Sequence, residues 1–162
     1  MTILGIDPGT ATTGWGVISS KNRKMECLGY GVIKTLASTA AAQRLKEINS
    51  ELSKLIKKYQ PHVLAVEDIY FFKNLKTVIP VAQAKGVILF TAAKNRLRVH
   101  EFTPLQVKMA ITGYGRAEKK QMQKMIKITL RLDELPKPDD AADALGAAVC
   151  CALGLPRTNP ID

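Results

Sequence analysis

The sequence predicts an α/β protein with one mixed sheet that is covered by helices on both faces. Three observations lead to this fold class. The first third of the chain reads as strands joined by short turns, which favours antiparallel pairing. After residue 38 the apolar residues follow a helical period. From there helical segments alternate with two further apolar strands, and strands joined by crossover helices pair in parallel.

Five segments have the composition of strands, and they cover residues 2–7, 14–19, 25–34, 62–68 and 97–103. The first is a short apolar run that ends in Asp7, and a turn rich in Gly and Thr follows it. The fourth, HVLAVED, is another apolar run that reaches an acid, Glu67. The first and fourth strands therefore each place a carboxylate where the strand leaves the sheet.

Five further segments predict helices, and they cover residues 39–59, 76–94, 104–112, 118–131 and 140–153. For the first, Ser38 or Thr39 is the expected N-cap, and Pro61 marks the exit. In the second, Pro80 must lie near the first turn or bend the helix. The last is rich in alanine, and small side chains allow a helix to lie close to its neighbour.

Length and composition restrict the class of protein. The 162 residues have the size of one ordinary domain, so we expect a single domain over residues 1–154 and a loosely ordered tail over 155–162. Three cysteines, two of them adjacent, do not form a disulfide framework, which favours the cytoplasm. Two histidines without a Cys-x-x-Cys pair argue against structural zinc. We expect neither a membrane span nor a signal peptide.

The net charge of +10 predicts a polyanionic partner, nucleic acid first and an anionic membrane second. A basic protein without such a partner is the alternative, because charge determines encounter rather than fold.

Acidic residues from distant parts of the chain form a candidate metal site. Asp7 and Glu67 end strands, and ligands of α/β sheets collect beyond the carboxyl ends of strands. In KPDDAADALG, Asp140 and Asp143 are three residues apart and share a helix face. Several carboxylates around one point suit hard divalent cations such as Mg²⁺, and two ions about 3.5–4 Å apart promote phosphodiester cleavage. The glycines after Asp7 would let a phosphate backbone come close.

Each of these acids also has a simpler interpretation. Asp139, Asp140 and Asp143 in the first turn of a helix could serve only as partners of its dipole. Asp7 could be a turn residue before Pro8. Asp68 is expected to point away from Glu67, because successive strand side chains alternate between faces.

Four motifs occur in order along the chain: GIDPGTATTGWG from Gly5, LAVEDIYFFKN from Leu64, PLQVKMAITGYGRAEKKQM from Pro104 and DDAADALGAAV from Asp139. Together they closely resemble the RuvC family of bacterial Holliday-junction resolvases, over roughly residues 2–153. The resemblance implies an RNase H-like fold with a mixed five-stranded sheet flanked by helices on both faces.

The resemblance also implies a mechanism. The family's four metal-binding catalytic acids match Asp7, Glu67, Asp140 and Asp143, although the register leaves Asp139 as an alternative to Asp140. Its catalytic lysines match Lys119 and Lys108. The family uses Mg²⁺ or Mn²⁺, two ions per site in our interpretation. It works as a homodimer that nicks two strands of like polarity in a four-way DNA junction and leaves 5′-phosphate ends. A further expected partner is the RuvA–RuvB branch-migration complex.

Candidate DNA contacts follow from the same motifs. The family carries an aromatic residue that stacks on unpaired bases, and it matches Tyr70, with Phe71 or Phe72 as alternatives. Basic residues near these motifs are candidate phosphate contacts: Lys73, Lys76, Arg116, Lys120 and Lys124. The lysines after residue 118 form a stripe that could equally be a solvated helix face, and Met122, Met125 and Ile126 lie on its other side. The apolar stretch Val81–Phe90 is our candidate dimer surface.

Three other functions compete with this interpretation. A non-catalytic binder of branched DNA would share the fold but would not depend on the acids. The turn after Asp7 also resembles the phosphate loop of sugar kinases and actin-like ATPases, which need two lobes. A nuclease acting on RNA–DNA hybrids would share the acids but not the DIYFFKN and GYGRAEKK segments.

Overall fold

The protein is built around one mixed six-stranded sheet. The structure, a computed structural model, describes residues 1–22, 24–68, 75–154 and 158–161, and for residues 75–77 and 158–161 it describes the backbone alone. In the described chain the strands are β1 (Thr2–Asp7), β2 (Thr12–Lys21), β3 (Lys24–Lys34), β4 (Val63–Glu67), β5 (Arg98–Phe102) and β6 (Thr158–Ile161).

The strand order is β3-β2-β1-β4-β5-β6, which puts the first and fourth strands side by side at the centre. β1, β2 and β3 pair antiparallel, because short turns connect them. β1 pairs parallel with β4, and β4 pairs parallel with β5. The carboxyl ends of three central strands therefore meet at one edge of the sheet, where ligands of such sheets bind.

Helices cover both faces. They are α1 (Ala41–Tyr59), α2 (Leu75–Lys94), α3 (Pro104–Thr112), α4 (Lys119–Leu130) and α5 (Asp139–Ala152). One apolar core lies between the sheet and α1 and α2, and its members include Leu4, Ile6 and Val66. The other lies between the sheet and α3, α4 and α5, and it includes Ile3 and Ala65. Alternate residues of β1 and β4 thus enter opposite cores, as the pleat requires.

The predicted α/β class, with a mixed sheet between two helical layers, is confirmed. The five expected strands are present, and a sixth, β6, lies within the segment that we expected to be a loose tail.

Neither Ser38 nor Thr39 is the N-cap of α1. The cap is Ala40, and the Thr39 N–H donates to the Leu36 carbonyl in a turn instead. Pro80 lies inside α2. In the described chain no helix is long and apolar enough to cross a membrane.

Candidate active site

Asp7 and Glu67 lie side by side at the carboxyl ends of the two central parallel strands. Ile6 pairs with Val66, so the residues that follow them, Asp7 and Glu67, lie level with each other where the two strands end. Ile6 and Val66 enter the core under α1 and α2, and alternation therefore directs Asp7 and Glu67 toward the α5 face. The two carboxylates are close enough for the charge of Asp7 to raise the pKa of Glu67.

Hydroxyl groups hold the turn that follows Asp7. The Thr13 hydroxyl donates to the Gly9 carbonyl at 2.6 Å, and the Thr35 hydroxyl donates to the Thr10 carbonyl at 2.6 Å. The Thr10 hydroxyl donates to the carbonyl of Pro80 at 2.7 Å, which ties the turn to α2. The hydroxyl groups of these three threonines therefore fix the backbone of the turn beside Asp7.

The helix α5 reaches the site because glycines leave room for it. A Cβ atom built on Gly14 would lie 1.9 Å from the Asp140 carbonyl oxygen, and one on Gly5 would lie 2.0 Å from the Ala144 carbonyl oxygen. Gly14 is the residue that pairs with Asp7 across β1 and β2. The N-terminal end of α5, with Asp140 and Asp143, consequently packs against the strand end that carries Asp7.

The site holds more negative charge than its surroundings neutralise. The pKa of Asp7 is raised to about 7, first by burial and then by the charges of Asp143 and Asp140, although Lys119 opposes them. Burial also raises the pKa of Glu67 well above its usual value, with Asp7 and Asp143 adding to the effect. For Asp143, burial raises the pKa and Lys119 lowers it. Four carboxylates from β1, β4 and α5 therefore interact as one cluster.

Two lysines face this cluster. Lys119, the first residue of α4, has its Nζ atom 3.2 Å from Asp139 Oδ2 and 3.3 Å from Asp143 Oδ2. Lys108 on α3 lies near enough to lower the pKa of Glu67. Both lysines that the resemblance implied are thus placed beside the acids.

The fit of a metal ion can be judged from the donor set. Among residues 1–22, 24–68, 75–154 and 158–161, no group of three or more His, Cys, Asp or Glu side chains is placed so that it could hold an ion as it stands. The four acids nevertheless suit a hard divalent cation, because they offer only oxygen donors and repel one another in a partly buried site. The residues therefore fit Mg²⁺ or Mn²⁺ in donor type and charge, but among the described residues they are not close enough together to hold an ion.

Asp139 and Asp140 have different surroundings. Asp139 accepts a hydrogen bond from Gln123 Nε2 at 2.9 Å and pairs with Lys119, so it holds α4 against α5. Both charges raise the pKa of Asp143, but of the two it is Asp140 that raises the pKa of Asp7. The effect on Asp7 favours Asp140 over Asp139 as the fourth acid, and the assignment stays a prediction.

We expect Asp140→Asn to reduce metal-dependent cleavage of a four-way DNA junction by about 10²-fold or more, because it removes a charge from the acid cluster. Asp139→Asn is the matched control on the neighbouring residue, and its exposed ion pair is worth at most about 1 kcal/mol. Its cleavage rate should stay within about tenfold of wild type. Equal losses in the two variants would contradict the assignment.

The structure places only part of the predicted DNA contacts. Arg116, Lys120 and Lys124 are exposed. The aromatic residues Tyr70, Phe71 and Phe72, together with Lys73, lie outside the described residues, as does the side chain of Lys76. The expected apolar side of the basic helix needs one correction, because Met125 is exposed and Met122, Ile126 and Leu130 form the buried face of α4.

Sequence reasoning missed three features of the site. It did not find the ion pairs that Lys85 makes with Asp68 and Glu101. It assigned the glycines after Asp7 to the approach of a phosphate backbone, which is wrong for Gly14 and Gly16, because α5 occupies that space. It also overlooked the hydrogen bond from the Glu118 N–H to Gln121 Oε1, which begins α4 beside Lys119. The Glu-x-x-Gln spacing was the available signal for this last feature.

The comparisons with known proteins agree with these motifs. The family model described as crossover junction endodeoxyribonuclease RuvC matches residues 3–151. The chain belongs to the RuvC family. A RuvC from Heliobacterium modesticaldum is 50% identical over 96% of this chain and 96% of its own length. A RuvC from Caldicellulosiruptor saccharolyticus is 52% identical over 94% and 93%.

Solved structures of the RuvC family share the fold. The Thermus thermophilus RuvC structure superposes with a TM-score of 0.88 at 31% identity and covers 94% of both chains. T. thermophilus RuvC in complex with a Holliday junction substrate gives a TM-score of 0.90 at 32% identity, with 94% of this chain and 93% of that chain covered. The RNase H-like fold that the resemblance implied is confirmed.

Proposed function

We propose that this chain is an endodeoxyribonuclease that resolves four-way DNA junctions by metal-dependent hydrolysis of phosphodiester bonds, in recombination and repair. The observation that carries the proposal is the cluster of Asp7, Glu67, Asp140 and Asp143, in which burial and mutual repulsion raise the pKa of three members. Its membership of a family of crossover junction endodeoxyribonucleases and its charge of +10 support the same function.

In this proposal the four acids hold Mg²⁺, with Mn²⁺ as a substitute and two ions per site. Bound ions would activate water and neutralise charge on the scissile phosphate. Lys119, and to a lesser degree Lys108, stabilises the charge that develops on that phosphate, because both lysines face the acid cluster. The products carry 5′-phosphate ends, which a ligase can join.

DNA binding is assigned to surfaces beside the acids. Tyr70, or Phe71 in its place, stacks on unpaired bases near the crossover, where stacking contributes about 1–3 kcal/mol per base. Lysine and arginine side chains around the site contact phosphates, and we assign this role to Lys73, Lys76, Arg116, Lys120 and Lys124. The exposure of the last three and the complex of the T. thermophilus relative with a Holliday junction substrate support this assignment.

Two nicks placed symmetrically in one junction require two active sites, so we propose a homodimer. The stretch Val81–Phe90 of α2 is the proposed contact surface, and the exposed ring of Phe90 supports it. Residues 1–154 constitute the nuclease domain. The RuvA–RuvB complex is the proposed partner that delivers the junction, and the protein would act in the cytoplasm, associated with the nucleoid.

The proposed function is tested with a synthetic four-way junction and a linear duplex of the same sequence. We expect paired nicks in the junction in the presence of Mg²⁺, no nicks without it, and little cleavage of the duplex. Binding of the junction without cleavage under any divalent cation would favour the non-catalytic alternative. Cleavage of an RNA–DNA hybrid in preference to the junction would contradict the substrate assignment.

A further inference from the structure

On the sheet face opposite the acid cluster, charged side chains from α2, from β5 and from the residue that follows β4 meet. Lys85 of α2 donates a hydrogen bond from Nζ to Asp68 Oδ1 at 2.6 Å, and it also pairs with Glu101 Oε2 on β5. The side chains of Lys85 and Glu101 are only 14% and 17% exposed. We call these three residues the Lys85 triad.

The register of β4 and β5 places the Lys85 triad directly behind Glu67. Val66 pairs with Glu101 and Glu67 pairs with Phe102, and the Asp68 N–H extends the ladder by donating to the Phe102 carbonyl at 2.8 Å. Because side chains alternate along a strand, Asp68 and Glu101 point toward α2, and Glu67 between them points toward the acid cluster. The ammonium group therefore fixes the residue that follows Glu67 from the opposite face.

The energetics favour a rigid arrangement. Burial lowers the pKa of Lys85, but the hydrogen bonds to Asp68 and Glu101 and the charges of these two acids together outweigh burial and raise it, so the ammonium stays charged. A charge in a partly buried position is costly to separate from its partners. The ends of β4 and β5 are thus joined at the point where the chain leaves the sheet.

We propose that Lys85 is a positioning residue for Glu67. By holding Asp68 and Glu101, it fixes the end of β4 so that the Glu67 carboxylate stays directed toward Asp7 and Asp143. The inference rests on the proposed function, in which Glu67 is a metal ligand. Partners that orient metal ligands typically change metal affinity or activity by about 10- to 100-fold when they are removed.

A first test needs no metal. Hydrogen exchange at the Asp68 amide, which bonds to the Phe102 carbonyl, reports the order of the strand end. In Lys85→Met this amide should exchange about tenfold faster or more than in wild type, while the amides of β1 keep their rates. Lys94→Met, at the exposed end of the same helix, should leave the Asp68 amide unchanged. An unchanged Asp68 amide in a folded Lys85→Met protein would overturn the proposal.

A second test separates position from charge by measuring Mn²⁺ affinity through electron paramagnetic resonance. Electrostatics alone predicts that loss of a positive charge near the acids tightens Mn²⁺ binding. Loss of positioning predicts that Lys85→Met weakens binding by about 10- to 100-fold. Lys85→Arg keeps the positive charge, so it should retain most of the wild-type affinity for Mn²⁺. Lys85→Met/Glu101→Gln keeps the net charge of the triad, so it should also bind weakly. If the single variant fails to fold, the double variant removes the buried carboxylate charge that Lys85 neutralises in wild type.

The outcomes distinguish this inference from the proposed function. If Glu67→Gln leaves Mn²⁺ affinity and junction cleavage unchanged, the role of Glu67 is wrong and both proposals fall. If Glu67→Gln weakens binding but folded Lys85→Met or Lys85→Met/Glu101→Gln binds as wild type or more tightly, only the role of Lys85 is refuted. In a Glu67→Gln background, Lys85→Met should weaken Mn²⁺ binding no further, because the two changes act on the same ligand.

Discussion

Replacing Asp7 with asparagine is expected to abolish cleavage and, at the same time, to make the metal-free protein harder to unfold above neutral pH. Asp7 lies between Glu67 and the first turn of α5, and its charge acts on the other acids of the cluster. Without that charge the proposed metal site loses its central ligand. We expect cleavage of the four-way junction to fall by about 10³-fold or more, which corresponds to roughly 4 kcal/mol in the barrier.

The gain in stability follows from the direction of the pKa shift. The pKa of Asp7 rises from 3.8 to about 7, first through burial and then through Asp143 and Asp140. The folded state therefore holds this proton more tightly than the unfolded state. The stability that this tighter proton binding adds is fully present below the pKa of the unfolded state, 3.8, and it is lost as the pH rises through the folded pKa of about 7. Near pH 8 the buried charge costs up to about 4 kcal/mol, and a neutral Asn avoids most of that cost.

Urea denaturation of wild type and Asp7→Asn with a chelator, from about pH 5 to pH 8, measures this effect. The difference in the free energy of unfolding should be about 1.5 kcal/mol in favour of Asp7→Asn near pH 5 and should grow to about 4 kcal/mol near pH 8. Mg²⁺ should stabilise wild type much more than the variant. Asp133→Asn, which changes an exposed carboxylate, is the control and should alter neither stability nor cleavage. A variant that cuts normally, or that is no more stable than wild type near pH 8, would contradict the prediction.

The parts of the fold that the sequence predicted are those encoded by local periodicity. Apolar runs that end in Asp7 and Glu67 could be placed on strands, and the carboxyl ends of parallel strands share one edge of a sheet. The predicted N-terminus of α1 was less accurate, because Thr39 forms a turn with Leu36 and the N-cap is Ala40. β6 could not be predicted, because its residues include Pro160 and its pairing depends on the open edge of β5.

The parts that the sequence did not predict depend on contacts between distant segments. Nothing in the local sequence of α2 says that Lys85 lies between Asp68 and Glu101, since that contact depends on the crossover and on the register of β4 and β5. Gly14 and Gly16 were correctly singled out but assigned to the wrong neighbour. A glycine in a sequence shows that space is required, and only the fold shows whether a helix or a ligand occupies it.

That distinction leads to the second large effect, which we expect from Gly14→Ala. The added methyl group would lie 1.9 Å from the carbonyl oxygen of Asp140, so the backbone of α5 itself must move away. Crowding of this kind typically costs about 1–3 kcal/mol, and contact with backbone rather than side chain puts Gly14→Ala at about 3 kcal/mol or more. The movement also carries Asp140 and Asp143 away from Asp7. Because a displacement of about 1 Å can cost roughly 10²-fold in rate, cleavage by the folded fraction should fall by that factor.

Gly146→Ala on the same helix is the matched control. Its new methyl group would come 3.2 Å from Val107 Cγ1 and 3.3 Å from Ile111 Cδ1, which are ends of side chains that can shift. Alanine is also favoured over glycine inside a helix by about 1 kcal/mol, so the two effects nearly cancel. Thermal unfolding and single-turnover cleavage of a four-way junction, measured on both variants, decide the outcome. If Gly14→Ala is as stable and as active as Gly146→Ala, α5 does not pack closely against Gly14. The explanation of how Asp140 and Asp143 are brought near Asp7 would then be wrong.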